Sequence, residues 1–144
     1  MTSYWKEIED HTADCGIEVW AKDFVELVLE ASIAFAQLTT NIDEMSARKE
    51  HTIIVEGDDF DLVLAEFLKE LLYLLDTQNF IAIGFKRPQL LPNNGNYVFG
   101  ATVLGDTFVV GKHESRTEIK AVTYHQLEAK KLHPGWYARI IFDI

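Results

Sequence analysis

The chain has 144 residues, 48% of them apolar, which is enough for one domain with a core of its own and no covalent staples. Thirteen basic against twenty-three acidic side chains give a net charge of −10; with no cluster of basic residues this argues against direct tight nucleic-acid binding and suits a basic protein partner. The single cysteine, Cys15, excludes an intrachain disulfide or a thiolate zinc cluster, and the absence of a roughly 20-residue apolar run or of a signal-peptide pattern leads to the expectation of a cytoplasmic protein with no membrane segment.

Residues 5–9 read as a short strand that runs into a polar interruption at 10–16, where Gly16 marks a turn or a close backbone approach. Ile17, Val19 and Ala21 then alternate with Glu18 and Trp20 as a second strand. Asp23 and Glu26 form a capping pair ahead of an apolar stripe at Phe24, Leu27, Val28, Ala31, Phe35 and Leu38, which predicts a helix over 24–38. A β-branched centre at Ile53-Ile54-Val55 predicts a strand over 51–56, stopped by Gly57. Asp58 or Asp59 caps a second helix with a wide apolar arc from Phe60 to Leu75, expected to be the better buried of the two.

From residue 80 the pattern turns to strands over 80–86, 97–104, 107–110, 119–124 and 136–144. Asn93-Asn94-Gly95 and Gly105-Asp106 carry turn chemistry, the second that of a tight hairpin, and the two prolines at 88 and 92 predict a loop between them. The expected fold is α+β: a single compact domain over residues 1–144, with a mixed, mostly antiparallel sheet of about six to eight strands and two helices packed on it. There is no glycine-rich phosphate loop.

The last strand alternates, with Trp136, Ala138, Ile140, Phe142 and Ile144 on one face, so that the Ile144 side chain is expected to be buried while its carboxylate points toward Asp143 and Asp14. These are hard oxygen donors, suited to calcium, magnesium or manganese rather than zinc. Spacing alone favours Asp14 as a turn cap and Asp143 as a solvated strand end over a shared metal site. Lys120, inside a β-forming run, either faces solvent or pairs with an acid. His11, His113 and His125 are ligands, proton-transfer groups or polar residues satisfied by the backbone. No nucleophile and base form a pair, which disfavours an independent hydrolase.

Four separated runs carry a family resemblance: His11-Thr12-Ala13-Asp14-Cys15-Gly16-Ile17-Glu18, Glu66-Phe67-Leu68-Lys69-Glu70-Leu71-Leu72-Tyr73-Leu74, Ile119-Lys120-Ala121-Val122-Thr123-Tyr124-His125 and Arg139-Ile140-Ile141-Phe142-Asp143-Ile144. In this order they resemble the archease family along the whole chain, with Cys15 standing where an aliphatic residue is more usual and Trp20-Ala21 where an aromatic-glycine pair is common. The resemblance implies a protein cofactor rather than an enzyme. Its partner would be an RtcB-type RNA ligase of tRNA splicing, whose guanylylation and multiple turnover it promotes. It further implies metal ligands at Asp14, Asp143 and Ile144, and supporting or partner contacts from Lys120 and His11. The other expectation is a chaperone or specificity modulator of RNA-modifying enzymes that acts through a protein surface.

Overall fold

A computed structural model describes residues 2–8 and 14–144. In chain order the elements are β1 (Tyr4–Ile8), β2 (Cys15–Ala21), α1 (Phe24–Thr39), a 3₁₀ turn (Ile42–Glu44), β3 (Lys49–Gly57), α2 (Phe60–Gln78), β4 (Phe80–Asn93), β5 (Asn96–Thr107), β6 (Ala121–Val122), β7 (Glu128–Lys131) and β8 (Trp136–Asp143). The α+β class holds. The strands divide between two sheets, because β3 pairs with the long β4–β5 hairpin and not with β2. One sheet runs β1-β2-β8-β6 with β7 also on β8, the other runs β3-β5-β4, and every strand pairing among the described residues is antiparallel.

Both helices begin where their caps predict. Asp23 Oδ1 accepts the Glu26 N–H at 2.8 Å and Asp59 Oδ1 accepts the Leu62 N–H at 2.8 Å, each satisfying a donor that the first turn leaves open. α2 runs to Gln78 and stops at Asn79, whose left-handed backbone (φ 53°) ends the helix. Contrary to expectation, α1 is the more completely buried helix. It packs on β2 with one side and on β4 with the other, so Ser32, Ala34, Ala36 and Thr39 are buried along with the apolar stripe. Phe24, Phe60, Phe99 and Trp136 meet between the sheets, with ring centroids 4.8 Å apart for Phe24–Phe60 and 4.9 Å for Phe60–Trp136. Fully buried rings such as Phe67 and Phe99 contribute roughly 1.5–3 kcal/mol each by leaving water.

Four sequence expectations fail in the second half of the chain, the first being the separate strand over 107–110, of which only Thr107 is strand, as the end of β5. The stretch around Pro88 and Pro92 is strand, not loop. β4 is an edge strand, and Pro88 falls where the register shifts between Lys86 and Gln89, a place where a missing N–H costs no ladder bond. The Gly105-Asp106 pair makes no hairpin but continues β5, with Gly105 opposite Ala82 beside a second register shift. A Cβ at Gly105 would lie 1.8 Å from the Ile81 carbonyl oxygen, so the glycine is there for close backbone approach. The turn predicted at Asn94-Gly95 is present, both residues having positive φ. Of the run 119–124, only Ala121 and Val122 are strand.

Candidate functional site

The antiparallel register decides which residues meet. Cys15 pairs with Phe142 and Gly16 with Ile141, so Asp14, the residue before Cys15, comes opposite Asp143 at the end of the ladder. On the other flank of β8, Ala121 pairs with Asp143, and the Lys120 N–H donates to the Asp143 carbonyl at 2.7 Å. Asp14, Asp143, Ile144 and Lys120 are thus gathered at one end of the first sheet, and all four are exposed. β8 stops at Asp143; Ile144 lies past it and is 43% exposed, so the expected packing of its side chain with Ile140 and Phe142 is not found. The Lys120 side chain makes no ion pair among the described residues, which matches the solvent-facing reading. His11 lies outside the described residues.

Apolar packing sits directly behind this end of the sheet. Cys15 is buried, and its Sγ donates to Glu7 Oε1 at 3.4 Å. Burial first, and then the Glu7 carboxylate, push the thiol pKa up to about 11, so it stays protonated and unreactive at neutral pH. Gly16 resolves as a close approach, since a Cβ there would meet Ile141 Cδ1 at 2.7 Å. Two hairpin-linked strands and the final strand are therefore pressed together just below the carboxylates.

The archease protein family (MTH1598/TM1083) matches residues 5–144. The chain belongs to the archease family. Relatives include the protein archease of Pyrococcus furiosus, 33% identical over 141 residues that cover 97% of this chain and 98% of that one. The protein archease of Methanosarcina barkeri is 32% identical over the whole of both chains. Among solved structures, protein 1598 of Methanobacterium thermoautotrophicum superposes with a TM-score of 0.82 at 26% identity, covering 99% of this chain and 98% of that one. The Thermotoga maritima archease, described as a possible chaperone, gives a TM-score of 0.62 at 18% identity over 96% and 97%, and supports the fold alone.

Other features of this archease were not legible in its sequence. The Lys69 ammonium donates to the Tyr124 hydroxyl at 2.7 Å, and that hydroxyl donates to Glu66 Oε1 at 3.1 Å, with Lys69 also 5.0 Å from the centre of the Tyr124 ring. The hydrogen bond to Tyr124, ahead of the charge of Glu66, holds the Lys69 pKa above its usual range. Two of the four family-like runs, on α2 and after β6, are tied together here. Nothing in the local pattern of either run names the other. Thr123 is held from the sheet side by Ile141, whose carbonyl accepts from its N–H at 3.0 Å and its hydroxyl at 2.9 Å. His113 Nδ1 accepts the Val109 N–H at 2.9 Å, the backbone-satisfied role, and His125 is exposed.

As a cation site, the donor chemistry fits. Two exposed aspartates at the ends of neighbouring strands, Asp14 just before β2 and Asp143 closing β8, are hard oxygen donors of the kind that suit calcium, magnesium or manganese. Among the described residues no group of three or more His, Cys, Asp or Glu side chains is placed to hold a metal ion.

Proposed function

We propose that this archease activates an RtcB-type RNA ligase by promoting its guanylylation and multiple turnover, with its acidic end inserted at the ligase active site. One observation carries this reading: the register of β2, β8 and β6 brings Asp14, Asp143, Ile144 and Lys120, drawn from three of the four family-like runs, to one exposed end of the sheet. Asp14, Asp143 and the Ile144 carboxylate would hold a divalent ion, calcium, magnesium or manganese. Bound there, such an ion would supply charge neutralisation for phosphates in nucleotidyl transfer. The chain's own contribution is positional. The Lys120 N–H fixes the backbone at Asp143, and Lys120 Nζ, on an exposed side chain, is available to a phosphate oxygen. No residue of this chain is asked to make or break a covalent bond.

The test is a double variant, Asp14→Ala with Asp143→Ala, in a multiple-turnover ligation assay that also measures the ligase–guanylate intermediate. Both should fall toward the level without the cofactor, and unchanged rates would sink the proposal. A surface-acting chaperone or specificity modulator is the second reading, favoured by the lack of three clustered side-chain ligands among the described residues. Chelation separates the two, since a modulator working through its surface keeps its effect when divalent ions are removed from it.

A further inference from the structure

Beside the acidic end lies a cleft of about 490 Å³ between the C-terminal ends of the two helices. The segment 115–119 forms one wall and leads into Lys120, so the cleft and the carboxylates share one end of the molecule. Leu75, Phe108, Val110 and Ile119 give it an apolar lining, and Val110 is 86% exposed. Asp76, Glu118 and Arg116 line it with charge; Arg116 is engaged by Glu114 and the Gln37 carbonyl, whereas neither acid has a side-chain hydrogen bond or ion pair among the described residues.

The two helix ends are treated differently. At α1, the Leu38 and Thr39 carbonyls accept the N–H groups of Thr117 and Arg116, and the Arg116 guanidinium donates to the Gln37 carbonyl at 3.0 Å. Its charge is also balanced by Glu114. A guanidinium at the negative end of a helix dipole is a stabilising arrangement. At α2, by contrast, no basic residue stands in the last turn, and Asp76 adds a carboxylate at the end where a cation is favoured.

We infer that the cleft docks an arginine side chain from a loop of a protein partner. Its guanidinium would lie between Asp76, Glu118 and the α2 end, with its aliphatic stem along Leu75, Phe108 and Ile119. Arginine suits the site better than a small cation, because a planar fork can bridge two carboxylates while its stem covers apolar surface. The inference does not depend on which enzyme the partner is, nor on any metal at Asp14 and Asp143.

The test uses the ¹⁵N-labelled full chain titrated with N-acetyl-Ala-Arg-Ala-amide and followed by amide chemical shifts. Saturable shifts at Asn79, Phe108, Val110, Glu118 and Ile119 are expected, with no such shifts from the citrulline peptide, which keeps the shape and loses the charge. Asp76→Asn with Glu118→Gln, both exposed and close to isosteric, should weaken the arginine peptide at least about fivefold while leaving the rest of the spectrum in place. Equal shifts from citrulline, equal shifts from spermidine, shifts centred elsewhere, or an unaffected double variant would each overturn the inference.

Discussion

Replacing Gly105 with alanine tests the account of the second sheet at its tightest point. The added Cβ would stand 1.8 Å from the Ile81 oxygen, 2.8 Å from its carbonyl carbon and 3.0 Å from Ala82 Cα, all of them backbone atoms. A carbon meets a carbonyl oxygen comfortably at about 3.3–3.6 Å, so β4 must retreat by roughly 1.5 Å at its bulge. Overpacking of this kind costs about 1–3 kcal/mol, and each ladder hydrogen bond lost as the strands part adds about 1 kcal/mol. A total of roughly 3–5 kcal/mol is a large share of the 5–15 kcal/mol that stabilises a typical domain. At about 3 °C per kcal/mol for a chain of this size, melting should drop by about 10–15 °C. Gly84→Ala is the control, because its Cβ would have only Leu104 Cβ nearby, at 4.0 Å. Urea titration and thermal melting of the two variants side by side decide the matter. If they unfold within about 2 °C of each other, the close approach of β4 and β5 is not as described.

Leu71→Asp places a charge in the buried face of α2 and should prevent folding, at a cost of several kcal/mol, whereas Glu70→Asp on the exposed face should leave the melting temperature nearly unchanged. Tyr137 donates to Glu18 Oε2 at 2.7 Å, and burial first, then that bond, push its pKa up to about 12. Between about pH 10 and 12 the unfolded chain therefore releases a proton that the folded chain keeps; stability should fall as pH rises through that window, and Tyr137→Phe should remove that part of the fall in denaturant titrations. A short C-terminal extension converts the proposed Ile144 ligand into a neutral carbonyl. Because Ile144 lies beyond β8 and is half-exposed, melting should be unaffected, while divalent affinity measured by calorimetry should drop at least about tenfold; equal affinity would remove Ile144 from the site.

The helices were legible because each carries its own boundary chemistry. Asp23 and Asp59 announce the starts, and the apolar spacing holds for as long as the helix does. The long hairpin was legible at its Asn94-Gly95 turn and in the strands over 80–86 and 97–104, but not in its full length. Proline and glycine, read as breakers, instead mark an edge strand and a bulge, and the difference depends on neighbours that local sequence does not name. The acidic end is a similar case. Asp14 and Asp143 come from opposite ends of the chain, and only the β2–β8 register, or a resemblance that already contains it, puts them together. Ile144 was misread because alternation was carried one residue past the last hydrogen-bonded partner. The Glu66–Lys69–Tyr124 contact joins a helix to a loop and leaves no periodic trace in either.

β8 follows the other described strands in sequence, yet it occupies the middle of the first sheet, between β2 on one flank and β6 with β7 on the other. During synthesis the β1–β2 hairpin emerges early and must wait, with one edge of β2 bare, until the ribosome has released everything through Asp143. Contacts that span nearly the whole chain close slowly, because the loop entropy is lost before the pairing compensates for it. For that interval the bare edge of β2, a largely apolar strand, is open to strand addition by other chains. A ribosome-arrested chain stopped before Trp136 should therefore remain protease-sensitive throughout the first sheet, since the act that completes the sheet is also the one that brings Asp143 to Asp14.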